Sequence, residues 1–138
     1  MIRRATPAEL PAILEIRRIV FIEGQNVPEQ RERDGHDADA RHYIAYDNNT
    51  PIGTARVLIE GSTGKIGRVA VLEEHRGKGT GKALIRGILD DLRQSNLAAA
   101  KLGAQTHAIG FYEQLGFAAE GPEFMDAGIP HRTMVIAL

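Results

Sequence analysis

A chain of 138 residues with 17 Lys and Arg against 18 Asp and Glu is long enough to bury a core, and its balanced charge marks no polyanionic partner, so no nucleic acid is expected. It has no cysteine, which excludes disulfides, thiolate metal ligands, iron–sulfur clusters and a cysteine acyl-enzyme. The start Met1-Ile2-Arg3-Arg4 leads into no apolar signal core and no apolar run reaches the length of a membrane span, so the expectation is one cytoplasmic domain over residues 1–138, off the membrane.

In chain order, Ile2–Ala5 reads as a short strand, and Thr6-Pro7-Ala8-Glu9 as a helix start, with a capping residue before proline and a carboxylate in the first turn. Leu10, Ile13, Leu14 and Val20 give that helix its apolar face. Residues 24–41 are polar, carry charges without a period, and read as a long loop with one short helix. Strands His42–Tyr46 and Ile52–Glu60 flank Asp47-Asn48-Asn49-Thr50-Pro51, a hairpin turn composition. Lys65–Leu72 reads as a further strand. Leu84, Ile85, Ile88, Leu89 and Leu92 form the buried stripe of a strongly periodic helix. Strand Leu97–Leu102, a helix from Thr106 to Leu115 stopped by Gly116, and strands Phe117–Glu120 and His131–Leu138 complete the order β-α-(α)-β-β-β-α-β-α-β-β. The fold class is mixed α/β: a central sheet with helices on its faces.

The most informative stretch joins the strand Val69-Ala70-Val71 to the periodic helix through Arg76-Gly77-Lys78-Gly79-Thr80-Gly81-Lys82. Glycines between a strand and a helix N-terminus let backbone N–H groups close on an anion, and Arg76, Lys78 and Lys82 add full charges. A Walker A loop requires Ser or Thr after Gly81-Lys82, where Ala83 stands, and the dinucleotide fingerprint requires glycine at 82 or 84, where Lys82 and Leu84 stand. A phosphorylated ligand of another kind is expected, although the glycines alone would also suit a plain tight turn.

Arg76-x-x-Gly79-x-Gly81 resembles the Arg/Gln-x-x-Gly-x-Gly/Ala signature of the GNAT superfamily of N-acetyltransferases. The run from Gln105 through Ala108, Tyr112 and Glu113 to Gly116-Phe117 resembles its second signature, with Gln105 where Asn is common. The resemblance implies a mostly antiparallel GNAT sheet and acetyl-CoA as acyl donor, with no metal. It gives the pyrophosphate to Arg76–Lys82 (Arg76, Gly77, Lys78, Gly79, Thr80, Gly81, Lys82), the pantetheine arm to Val69, Ala70 and Val71, and a further cofactor contact to Gln105. Tyr112 would be the general acid for the departing thiolate; without the motif it would read as a core aromatic. Phe111 and Phe117 read as core, and His107 as a structural or solvent-facing helix residue.

The resemblance implies an amine partner, on a small molecule or a peptide, and leaves a homodimer open. Glu23, Asp34, His36, Asp37, His42, Glu60, Glu73, Glu123 and His131 all offer a base for it. Residues 20–28 and 123–131 resemble the ElaA-like branch of the superfamily, which draws Glu23, Gln25, His42, Glu123 and His131 toward the substrate; that branch's common Glu-Gln pair stands here as Gly24-Gln25. The acidic stretch 34–39 suits either a solvated face, the simpler reading, or attraction of a cationic acceptor. An acyl-CoA sensor with little turnover is the alternative to an enzyme.

Overall fold

The computed structural model describes residues 1–138. Seven strands, β1 Ile2–Arg4, β2 Arg41–Asp47, β3 Thr50–Glu60, β4 Thr63–Val71, β5 Ala99–Gln105, β6 Ala118–Asp126 and β7 Ile129–Ala137, form one sheet in the order β1-β2-β3-β4-β5-β7-β6. Every neighbouring pair is antiparallel except β4 and β5. Four α-helices join them: α1 Leu10–Arg17, continued by a wider turn over Arg18–Glu23, α2 Glu29–Glu32, α3 Thr80–Gln94 and α4 Ile109–Gln114.

The helix α3 is the crossover between the two parallel strands. Its Leu84, Ile85, Ile88, Leu89 and Leu92 are all buried in the main core with Val57, Ile66, Leu102 and Met134. Burying each such side chain contributes roughly 1.5–3 kcal/mol, which makes this seam the largest apolar contribution in the fold. A smaller cluster lies on α1, where Ile16 and Val20 meet Ala70.

Strand β4 faces both clusters because a bulge reverses its alternation. Gly64 and Ile66 face α3 before it, Val69 and Val71 pack on the α3 core after it, and Ala70 turns to α1. The register with β3 shifts between Thr54 and Arg56, and the inserted residue, Arg68, has φ +53°. An extra residue in one strand turns every later side chain to the opposite face, and here it also swings the strand end out of regular pairing.

The parallel β4–β5 ladder runs only from Thr63 opposite Ala99 to Ile66 opposite Leu102. Beyond it β4 keeps β3 as its neighbour as far as Val71, and β5 keeps β7 as far as Gln105. The two strand ends are therefore splayed, and a cleft opens between them.

The expected strands are present with shifted bounds, the last hairpin most of all: β6 extends to Asp126, well past the expected end at Glu120. Gly121-Pro122 reads as a breaker, yet the strand passes it as an irregularity between Glu120 and Phe124, as edge strands permit. The polar stretch 24–41 holds α2 and a short 3-10 turn over Asp37–Asp39. No helix is long and apolar enough to cross a membrane.

Candidate active site

The segment after β4 delivers backbone rather than side chains. Gly77 and Gly79 have φ +75° and +83°, the left-handed region that only glycine adopts without strain, and Gly79 is the residue that starts α3. A Cβ on either would meet no atom within 4 Å, so the requirement is conformational and the space before the first turn of α3 is open. Arg76 holds the turn to the strand by donating from Nε to the Val71 carbonyl at 2.9 Å. Lys78 and Lys82 are exposed. Phe111, expected in the core, is 39% exposed because it lies over the glycine turn, its Cζ 3.7 Å from where a Gly81 Cβ would stand.

The splayed strands border a cavity of about 1060 Å³, whose lining includes Gly67, Arg68 and Val69 of β4, Gly103, Ala104 and Gln105 of β5, His131 of β7, Tyr112 of α4, and Gln25 and Asp39 from the N-terminal third. Tyr112 is fixed by edge-on contacts with Phe111 and Phe117, ring centroids 5.0 and 5.7 Å away. Burial pushes its phenol up to about 12, with no partner holding the hydroxyl, so it keeps its proton at neutral pH. Gln105 spans the cleft floor: its Nε2 donates to Gln25 Oε1 at 3.1 Å and its Oε1 accepts from His107 Nε2 at 2.7 Å.

Opposite Gln105 in the sheet register is His131, which is in turn opposite Phe124 on β6. The imidazole is stacked on the Phe124 ring at 5.7 Å, and Nδ1 lies 2.6 Å from the Ile129 carbonyl. Gly103 makes this possible, since a Cβ there would come within 3.2 Å of Phe124 Cζ.

The N-terminal wall is an ion-pair network. Arg17, fully buried in α1, binds Glu32 through Nη2 at 2.9 Å and Asp37 through Nη1 at 2.7 Å. Arg56 binds Asp34 at 2.8 Å and Asp37 at 3.0 Å, and Arg68 binds Glu32 at 2.8 Å and Asp34 at 3.2 Å. Hydrogen bonding from Arg56 holds Asp34 well below the usual carboxylate range. Burial would raise Asp37, but the Arg17 and Arg56 guanidiniums outweigh it and the net shift is downward. Asp34 and Asp37 thus form neither the solvated face nor the free acidic lure considered from sequence. Asp39 is the one carboxylate of that stretch that lines the cavity without an ion-pair partner, and His36 lines it without one as well.

Of the residues drawn toward the substrate, Gln25 and His131 line the cavity. Glu23 is exposed and paired with Arg18. His42 lies on β2, its Nε2 on the Asp37 carbonyl and its buried Nδ1 without a partner. Glu123 is exposed at the β6 irregularity. None of these three lines the cavity. Val69 does, whereas Ala70, Val71 and Arg76–Lys82 lie outside it, along the same strand and turn. Sequence reasoning missed Arg17, Arg56 and Arg68. The available signal was an arginine inside an apolar helical stripe, between Ile13, Ile16 and Val20, and another inside the buried strand Ile52–Val57.

A parallel strand pair that opens at its end, with a free phenol in the gap and a glycine-started helix beyond, is the architecture of an acyl-CoA N-acyltransferase. The profile of the acetyltransferase (GNAT) domain matches residues 17–138, and the chain belongs to that family. It is 41% identical to the Bacillus subtilis protein YyaT over 96% of this chain and 91% of that one. Escherichia coli ElaA is 34% identical, with coverage of 90% and 84%. The ElaA crystal structure superposes with a TM-score of 0.85, covering 98% of each chain. An acyl-CoA N-acyltransferase structure from Pseudomonas aeruginosa gives a TM-score of 0.86 at 29% identity, covering 98% of this chain and 96% of its own.

Proposed function

We propose that residues 1–138 act as one acyl-CoA-binding unit that moves an acetyl group from acetyl-CoA to a primary amine by direct attack, with both substrates held at once. The observation that carries this reading is the cleft between β4 and β5, where the Tyr112 hydroxyl is free and the β4 backbone has lost its parallel partner. The open space before Gly79 fits the phosphate end of CoA, because the first-turn N–H groups of α3 face an anion there without hindrance.

Bound acetyl-CoA supplies a thioester carbonyl open to attack and a thiolate that leaves. The residues Gly77–Lys82 grip the pyrophosphate through main-chain N–H groups, and Arg76, Lys78 and Lys82 add charge. The main chain of Val69–Val71 pairs with the amide-bearing arm as an added strand would, and an N–H there stabilises negative charge on the carbonyl oxygen. Tyr112, protonated at neutral pH, gives its proton to the sulfur. Gln105, braced by Gln25 and His107, positions the arm at the cleft floor. The net change converts one ammonium and one thioester to one amide, one thiol and one released proton.

The test combines acetyl-CoA calorimetry with CoA-thiol release across spermidine, tyramine, aminoglycosides and lysine peptides, against a no-acceptor control. At least one acceptor is expected to raise release well above hydrolysis. Binding without stimulation by any acceptor would favour a sensor, and absence of acetyl-CoA binding would sink the reading altogether.

A further inference from the structure

Proton removal from the incoming ammonium is the step for which the donor side provides no group, since Tyr112 faces the leaving sulfur and keeps its proton. The carboxylates nearest the cavity are mostly committed elsewhere: Glu32 and Asp34 to arginines of the buried network, Asp126 to Arg31 at 3.2 Å, and Glu60 to Lys101 at 3.4 Å. Asp39 and His36 line the cavity without an ion pair, but both are exposed and no hydrogen bond within the chain orients either side chain. His107 also lines the cavity, but it is exposed, and its one hydrogen bond is the donation from Nε2 to the Gln105 side chain rather than to the main chain.

His131 differs from all of these. It is only 8% exposed, yet it lines the cavity. A carbonyl oxygen only accepts hydrogen bonds, so the 2.6 Å contact with Ile129 requires Nδ1 to carry the hydrogen. In the uncharged ring the lone pair is then on Nε2, which makes no hydrogen bond within the chain. Two further contacts fix the ring plane: the stack on Phe124, and Cδ2, the carbon bonded to Nε2, 3.9 Å from where a Gly103 Cβ would stand. This is the pattern of an oriented base, with one ring nitrogen pinned to the main chain and the other presented as an acceptor.

We infer that His131 is the catalytic base, taking a proton on Nε2 from the acceptor ammonium before attack. The inference rests on the transferase reading above. One proton moves: alkylammonium and imidazole become free amine and imidazolium, and the imidazolium returns the proton to solvent after turnover. The Nδ1 bond to Ile129 O persists in both states because Nδ1 donates in each, so the ring does not need to turn between them.

The experiment compares the wild-type chain with His131→Asn and His131→Gln. The asparagine amide can still donate to Ile129 O from near the Nδ1 position but has no group at the Nε2 position, so it separates a structural histidine from a basic one. Each protein is assayed with the alkylammonium probes spermidine and tyramine and with methoxyamine, a primary amine already uncharged at neutral pH. Acetyl-CoA affinity is measured alongside. We expect His131→Asn to fold and bind acetyl-CoA as the wild type does, to lose on the order of 100-fold in kcat with the alkylammonium probe that the wild type uses, and to lose less than about threefold with methoxyamine. Glutamine should behave the same way. Wild-type turnover of the alkylammonium probe by His131→Asn, or an equal loss with both kinds of amine, overturns the assignment and leaves the transferase intact. A wild-type chain inactive toward every amine removes the transferase reading and this inference with it.

Discussion

The two sides of the cleft are built by opposite means. The side proposed for the donor is one continuous run, β4 through the first turn of α3, and it offers mainly backbone: splayed strand edges, two left-handed glycines and a helix start. The side proposed for the acceptor is assembled from side chains of α1, α2, the segment after it, β3 and β4, tied by three arginines and three carboxylates, with His131 of β7 lining the same cavity. Backbone recognition suits a ligand that never changes. A wall of side chains can be remodelled residue by residue, which on the proposed reading lets the acceptor change while the donor site stays.

That contrast predicts different failures on the two sides. The largest effect should come from Arg17→Met, which takes the buried guanidinium from Glu32, 1% exposed, and leaves it only Arg68 and, at 3.6 Å, Arg33. Removing one partner of a buried ion pair costs about 3–5 kcal/mol, and urea unfolding should show a loss near the lower figure. A loss under about 1 kcal/mol would mean that the network does not hold the acceptor wall. Next is Gly79→Val, which forces a β-branched residue to φ +83° and fills the open space before α3. Calorimetry should show acetyl-CoA affinity falling at least tenfold, with the strain lowering the melting temperature by only a few degrees; an unchanged affinity would remove the turn from the cofactor site.

A third test uses pH. The carboxyls of Asp34 and Asp37 are lowered in the fold, so their contribution is fully present above the unfolded carboxyl value of about 3.9 and is lost as pH falls from there toward the lower folded values. Arg56→Gln removes the main cause of the shift at Asp34, so its urea midpoint should fall less steeply below about pH 4 than that of the wild type. Parallel curves would place the acid sensitivity elsewhere. The smallest effect is sought at Gly67, where a Cβ would meet nothing within 4 Å. Gly67→Leu should raise the acceptor KM about tenfold by occupying the cavity, with acetyl-CoA affinity and melting temperature nearly unchanged. A melting temperature several degrees lower would show that this space is packed.

The turn that the proposed function gives to the donor was legible in the sequence because its information is local. Arg76, Gly79 and Gly81 are spaced along one turn, and Tyr112 stands at a fixed distance from Gly116-Phe117. The acceptor side was not, since nothing around Glu32 reveals a partner fifteen positions earlier at Arg17, and another at Arg68 that reaches it only because the β4 bulge inserts that residue. Glu23 and His42 were attractive by type and by resemblance, yet they stand away from the cavity. His131 was one histidine among five; its hydrogen bond to Ile129 and its register opposite Gln105 set it apart. The β6 extension past Gly121-Pro122 was hidden for another reason: an exposed edge strand carries no apolar alternation to read.

The measurement that reaches the central claim most directly is amine-dependent CoA release by Tyr112→Phe, with acetyl-CoA affinity determined on the same protein. If the β4–β5 cleft is the transfer centre, kcat falls on the order of 100-fold while acetyl-CoA binding and the fold are retained, since only the proton donor is gone. If Tyr112→Phe turns over as fast as the wild type, the phenol in the cleft has no part in the reaction and the assignment of the centre is wrong.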